Sequence, residues 1–155
     1  MELADILNEE SVIFCSDVTT KREVLQKLAG YAADAAGAPA DTVFEAIHNR
    51  EVLGSTGLGN GIAIPHGKLA GLRGVTAVFA RLARPIDFDA VDDEPVDLVM
   101  MLLAPLGAGA DHLKALALVA RMLRTESVIE QLRALRDPVR IYELLTQTQQ
   151  ANQAA

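Results

Sequence analysis

Apolar residues recur along this chain at two spacings, and the change from one to the other divides it into elements. Ile6-Leu7 and then Val12-Ile13-Phe14 are short apolar clusters that predict a first strand. Thr20-Lys21-Arg22-Glu23 has the hydroxyl-to-carboxylate spacing of a capping box at a helix start. Val24, Leu28, Tyr31 and Ala35 follow at helical spacing, and Gly37 with Pro39 closes that helix. A second helix is expected from Pro39–Asp41, with Val43, Phe44 and Ile47 as its stripe. Arg50 lies three residues past Ile47 and shares its face.

The second half opens with two β-rich runs, Val75–Leu82 and Val96–Ala104. The latter is almost continuously apolar, as in a strand covered on both faces. Ile86-Asp87-Phe88 reads as a short edge strand, and Asp92-Asp93-Glu94-Pro95 as a solvated turn. A third helix should be capped by Asp111 or its neighbour and bury Leu113, Leu116, Ala117, Ala120 and Leu123. Ser127-Val128-Ile129-Glu130 is a capping-box candidate for a short helix to Arg136. Asp137-Pro138 opens a last helix through Val139, Ile141, Tyr142 and Leu145. Beyond it the apolar period ends, which predicts one domain over 1–146 and a disordered Gln/Ala tail over 147–155. Strand and helix runs alternating in this way indicate an α/β domain.

Composition narrows the function classes. A chain of 155 residues buries about 70% of the surface its unfolded form exposes. The formal net charge is −7 and no Lys/Arg cluster stands out, which argues against nucleic acid or an anionic membrane as principal partner. The longest apolar run, Leu98–Pro105, is far short of the ~20 residues of a membrane helix. No basic region followed by an apolar stretch marks a signal peptide. Cys15 is alone, so a reduced cytoplasmic setting fits, with the thiol as a small half-buried hydrophobe. The histidines and the cysteine do not form a metal-ligand set, and no organic cofactor is indicated.

Candidate chemistry concentrates in Leu53–Lys68, which reads Leu-Gly-Ser-Thr-Gly-Leu-Gly-Asn-Gly-Ile-Ala-Ile-Pro-His-Gly-Lys. Its glycines permit positive φ and close approach to a partner. It is neither common phosphate cradle: Ile62 stands where a P-loop needs its first glycine and where a dinucleotide fingerprint needs its third. An apolar run ending at Pro65 instead delivers His66, with little bulk on either side, to a predicted strand end. Pattern alone leaves Arg50 open between a helix-end arginine and a guanidinium aimed at a phosphate. His112 is likewise open between an ordinary first-turn residue and a neutral donor to an anion. His48 reads as solvated.

The string Gly54–His66 closely resembles the active-site signature of the fructose/mannitol/nitrogen class of enzyme IIA in the bacterial phosphotransferase system. The resemblance spans about residues 4 to 145, and its overall run is most similar to the nitrogen-regulatory members. It implies a mannitol-type IIA fold, a mixed sheet of about five strands with helices on both faces. It also implies that His66 accepts a phosphoryl group, on Nε2, from a phosphohistidine of HPr or its nitrogen-branch relative. The class has an arginine at the place of Arg50 and a second active-site histidine at that of His112, which favours stabilising roles for both. The Ser55 and Thr56 hydroxyls and loop amides such as those of Gly59 and Asn60 are then auxiliary donors. No metal or cofactor is needed for transfer between two histidines. Three purposes follow from the resemblance. One is a regulator whose protein contacts, with potassium-transport or sensor proteins among them, change with phosphorylation. The second is a sugar-specific IIA serving a transporter's IIB domain, and the third a binding module with a dead site. A chain without IIB or membrane segments favours the first, and the presence of Arg50, His66 and His112 opposes the third.

Overall fold

The computed structural model describes the backbone of residues 1–154 and the side chains of residues 1–147. A single 3-10 turn, Leu3–Asp5, leads into β1 (Leu7–Cys15), followed by α1 (Lys21–Ala36) and α2 (Ala40–Leu53). Three short strands come next, β2 (Gly57–Gly59), β3 (Ile62–Ala63) and β4 (His66–Leu69). Two long ones follow, β5 (Thr76–Ile86) and β6 (Val96–Pro105), and then α3 (Gly109–Met122), α4 (Glu126–Ala134) and α5 (Pro138–Ala154).

The sheet is mixed, in the order β1-β5-β6-β3-β2, with β4 also on β6. β1 lies parallel to β5, and β3 and β4 parallel to β6, while the β5–β6 and β2–β3 pairs are antiparallel. Among the described residues six strands occur where about five were expected. The extra one arises because β3 and β4 lie end to end along β6, Ile62 opposite Leu98 and His66 opposite Leu102. Pro65 between them has no N–H to give, so the ladder breaks there. Its carbonyl still accepts from Leu102 N–H at 2.9 Å.

Helices cover both faces, and the alternation of β6 divides the core between them. Val99, Met101 and Leu103 join Leu25, Leu28, Val43 and Ile47 of α1 and α2. Leu98, Met100 and Leu102 join Val119, Ile129, Leu132 and Ile141 of α3, α4 and α5. The continuous apolar run therefore reflects burial on both faces, as read from the sequence.

Several local expectations are revised. α1 buries Val24, Leu25, Leu28, Ala29, Ala32 and Ala33, whereas Tyr31 and Ala35 face outward. Small alanines, not the aromatic, fit where α1 lies on the sheet. β5 does not stop at Leu82 but bulges and continues to Ile86, opposite Val96, and Phe88 is fully buried rather than part of an edge strand. α4 begins after Thr125, two residues before the proposed cap, and ends at Ala134. The Asp137 cap holds, its carboxylate accepting Val139 N–H at 3.0 Å. The backbone of α5 is helical to Ala154; the tail expected over 147–155 falls on positions whose side chains from 148, and whose backbone at 155, lie outside the described residues. Among the described residues no helix is long and apolar enough to cross a membrane.

Candidate active site

The glycine string folds as a tight hairpin rather than as an open loop. Asn60 and Gly61, with φ of 59° and 80°, form the two-residue turn between β2 and β3, the conformation that Asn-Gly favours. Arg133 of α4 crosses this turn, donating to Asn60 O at 2.6 Å and to Asp97 at 2.9 Å. A Cβ on Gly61 would overlap the Arg133 guanidinium and stand 2.8 Å from Asp97 Oδ1. From this pinned turn the chain runs along β6 to His66.

His66 is the first residue of β4 and is half-buried. Its Nδ1 lies 2.9 Å from the carbonyl of Ile64. A carbonyl only accepts, so Nδ1 carries the hydrogen and Nε2 keeps its lone pair. Successive strand residues alternate, so His66 and Lys68 point away from the face of Gly67. Gly67 lies against α2: a Cβ there would stand 3.2 Å from the backbone carbon of Ala46. That close approach brings Arg50, one helical turn beyond Ala46, over the strand edge.

Arg50 and the α3 residue His112 flank His66 around one depression of about 400 Å³, which Ala46, Lys68, Leu113 and Leu116 also line. One Arg50 nitrogen donates to Gly54 O at 2.8 Å, anchoring the guanidinium at the rim. The rings of His66 and His112 are 5.4 Å apart and tilted by 51°. His112 is only 5% exposed, and its Nδ1 is buried without a protein partner among the described residues. Burial holds its pKa below the ordinary histidine value, and His66 and Lys68 push in the same direction. Both influences favour the neutral imidazole of His112 over its charged form.

The expected stripe of α3 holds in part: Leu123 is buried and Leu116 and Ala120 pack against the core, but Ala117 is exposed. His112, Ala115, Val119 and Met122 face inward, while Leu113 is 68% exposed at the rim of the depression. The helix has no side-chain cap: Ala108 occupies that position, and Asp111 sits inside the first turn.

Of the residues proposed from sequence, the structure brings together His66, His112 and Arg50. Ser55, Thr56, Gly59 and Asn60 do not line the depression around His66. Ser55 Oγ donates to Phe88 O at 2.8 Å and accepts Gly57 N–H at 3.0 Å. Thr56 is buried and its hydroxyl bonds Glu51. Gly59 packs beneath Asp92, and the Asn60 N–H donates to the same carboxylate at 3.0 Å. Ile62, the first residue after the turn, is already four register positions from His66 along β6, about 13 Å at the rise of a strand. A glycine-rich string read as one loop hid that separation. Lys68 was missed, although its place two residues after His66 put it on the same face. His48 is not simply solvated; it stacks on Phe44 with centroids 5.6 Å apart. No cluster of three or more His, Cys, Asp or Glu that could hold a metal occurs among the described residues.

Comparison with known proteins shows the family and the fold. The family model described as phosphoenolpyruvate-dependent sugar phosphotransferase system, EIIA 2, matches residues 5–148. A nitrogen regulatory protein of Bradyrhizobium diazoefficiens is 50% identical over 145 residues, covering 94% of this chain and 95% of that protein. Among solved structures, the nitrogen regulatory protein IIA-Ntr from Neisseria meningitidis superposes with a TM-score of 0.86 at 34% identity, over 93% of this chain and 99% of that one. IIA mannitol from Escherichia coli shares the fold, with a TM-score of 0.74 at 24% identity over 89% and 97% of the two chains.

Proposed function

The chain belongs to the EIIA 2 family of the phosphoenolpyruvate-dependent sugar phosphotransferase system, and from that premise we propose that it is a phosphocarrier of the nitrogen-regulatory branch, accepting its phosphoryl group on His66. The observation that carries this reading is the His66 Nδ1–Ile64 O bond of 2.9 Å, which leaves Nε2 as the free nucleophile beside two donor side chains. The Nε2 lone pair attacks the phosphorus of a phosphohistidine on an HPr-like donor. A new N–P bond forms as the donor's breaks, and the donor imidazole leaves with the electron pair of the broken bond. Positive charge develops on the His66 ring, where the Nδ1 hydrogen and the Ile64 carbonyl stabilise it. The equatorial oxygens meet the Arg50 guanidinium and a neutral His112 donor, so positioning and electrostatics carry the step.

The phosphorylated form adds about −1.5 to −2 charges at a surface rimmed by exposed Leu113. That change alters contacts with regulated partner proteins, and the nitrogen-regulatory names of its relatives favour this purpose over sugar uptake. Intact mass after incubation with phosphoenolpyruvate, enzyme I and either a nitrogen-type or a sugar-type HPr tests the reading. Wild type gains one phosphoryl group, faster through the nitrogen-type donor, and His66→Ala gains none. Absence of any gain with both donors overturns the carrier reading and leaves a binding module.

A further inference from the structure

We infer that Lys21, Glu51 and Thr56 form a positioning unit that sets which nitrogen of His66 carries the hydrogen. Its significance for transfer rests on the phosphocarrier reading above, but its physical basis does not. Glu51, on the last turn of α2, has a side chain only 3% exposed. A buried carboxylate is costly unless it is paired and hydrogen-bonded. Here Lys21 Nζ lies 2.8 Å from Oε2, both carboxylate oxygens lie 3.3 Å from Thr56 N–H, and the Thr56 hydroxyl bonds Oε1. Lys21 is itself placed 4.8 Å from the centre of the buried Phe88 ring. Three separate segments are fixed to one another at this point: the start of α1, the end of α2 and the entry to β2.

The unit reaches the imidazole through two further bonds. The Thr56 carbonyl accepts Ile64 N–H at 3.1 Å, and the Ile64 carbonyl accepts His66 Nδ1–H at 2.9 Å. Ile64 precedes a proline and is confined to extended backbone, while Pro65 fixes φ on the other side. Holding the Ile64 N–H therefore also aims its carbonyl. Neither Glu51 nor Lys21 lines the depression around His66. Their effect passes through backbone, which makes them positioning residues. Thr56 keeps a role in the site, but through its carbonyl and its buried bond to Glu51, not as a donor to phosphate.

The test reads the tautomer directly, by 15N NMR of the His66 imidazole in the unphosphorylated protein near neutral pH. Wild type shows the hydrogen on Nδ1. Thr56→Val removes only the hydroxyl bond, and Glu51→Gln the charge; each raises the Nε2–H population several-fold, and Thr56→Ser restores the wild-type ratio. Phosphorylation of the Val and Gln variants slows about 10- to 100-fold, the range seen when the outer-shell partner that orients a metal-ligating histidine is lost, with the change in the rate constant rather than in donor affinity. Variants that unfold at lower temperature yet keep the wild-type tautomer ratio overturn the inference, as does a wild type already protonated on Nε2. Should Glu51→Gln fail to fold, Thr56→Val decides alone. A tautomer shift in a protein that takes up no phosphoryl group leaves this inference standing and overturns the carrier reading instead.

Discussion

At the scale of single residues, His112 concentrates the energetics of the site. Its ring is buried among apolar neighbours and faces His66 and Lys68, so the charged form is disfavoured. A proton NMR titration is expected to place His112 below the ordinary histidine pKa of about 6.5. Between that lowered value and the ordinary one the unfolded chain binds more protons than the folded one. Stability from this group is therefore present above the ordinary value and lost as pH falls through the window; His112→Gln should flatten that acid-side loss in urea unfolding. Removing the donor altogether, in His112→Ala, is expected to slow phosphorylation of His66 by roughly 100- to 1000-fold while circular dichroism stays native. Legibility differs sharply between neighbours. His66 was readable because proline and glycine flank it and leave the imidazole no core to join. Glu51 was not, because one acid near the end of a helix reads as solvated until the fold puts Thr56 and Lys21 beside it.

At the scale of elements, close approaches decide where the side chains arrive. Gly67 lets α2 settle on β4, and Arg50 reaches the depression only from that position. Gly67→Ala is expected to displace α2 by a few tenths of an ångström and slow phosphoryl uptake more than it lowers the melting temperature, a comparison made by pairing mass-resolved kinetics with calorimetry. Gly61→Ala should do the opposite. It combines a φ of +80° with overlap on Arg133, and the left-handed backbone alone costs a non-glycine residue about 1–2 kcal/mol. Its effect should appear in urea unfolding. The sequence reading found both long strands and all five α-helices of the described residues. It placed Val24, Leu28 and Leu123 correctly but put Tyr31 and Leu113 in the core, since periodicity counts apolar bulk and the sheet selects small residues such as Ala29, Ala32 and Ala115 at close contact. The Asn60-Gly61 hairpin was legible in principle and was obscured by reading the surrounding glycines as one loop.

At the scale of the whole molecule, β6 is the member that both cores share. Met101 and Met100, fully buried, point into opposite cores. Truncating either to alanine should cost about 2–5 kcal/mol, a large part of the 5–15 kcal/mol that typically holds a domain together, and denaturant midpoints should report it. The three-layer architecture was legible because β6 has no polar side to turn to water. The division of its partner strand at Pro65 was not, since a proline in sequence does not say whether the chain turns away or resumes the same line. That resumption leaves β4, which pairs only with β6 among the described strands, as a rim with unpaired backbone groups on its outer side. Such rims recruit strands from other molecules and seed aggregation. This one is four residues long, entered through a proline and interrupted by the charge of Lys68, three of the usual protections. The strand edge that begins at His66 is thus shielded against self-assembly by its own neighbours, Pro65 and Lys68.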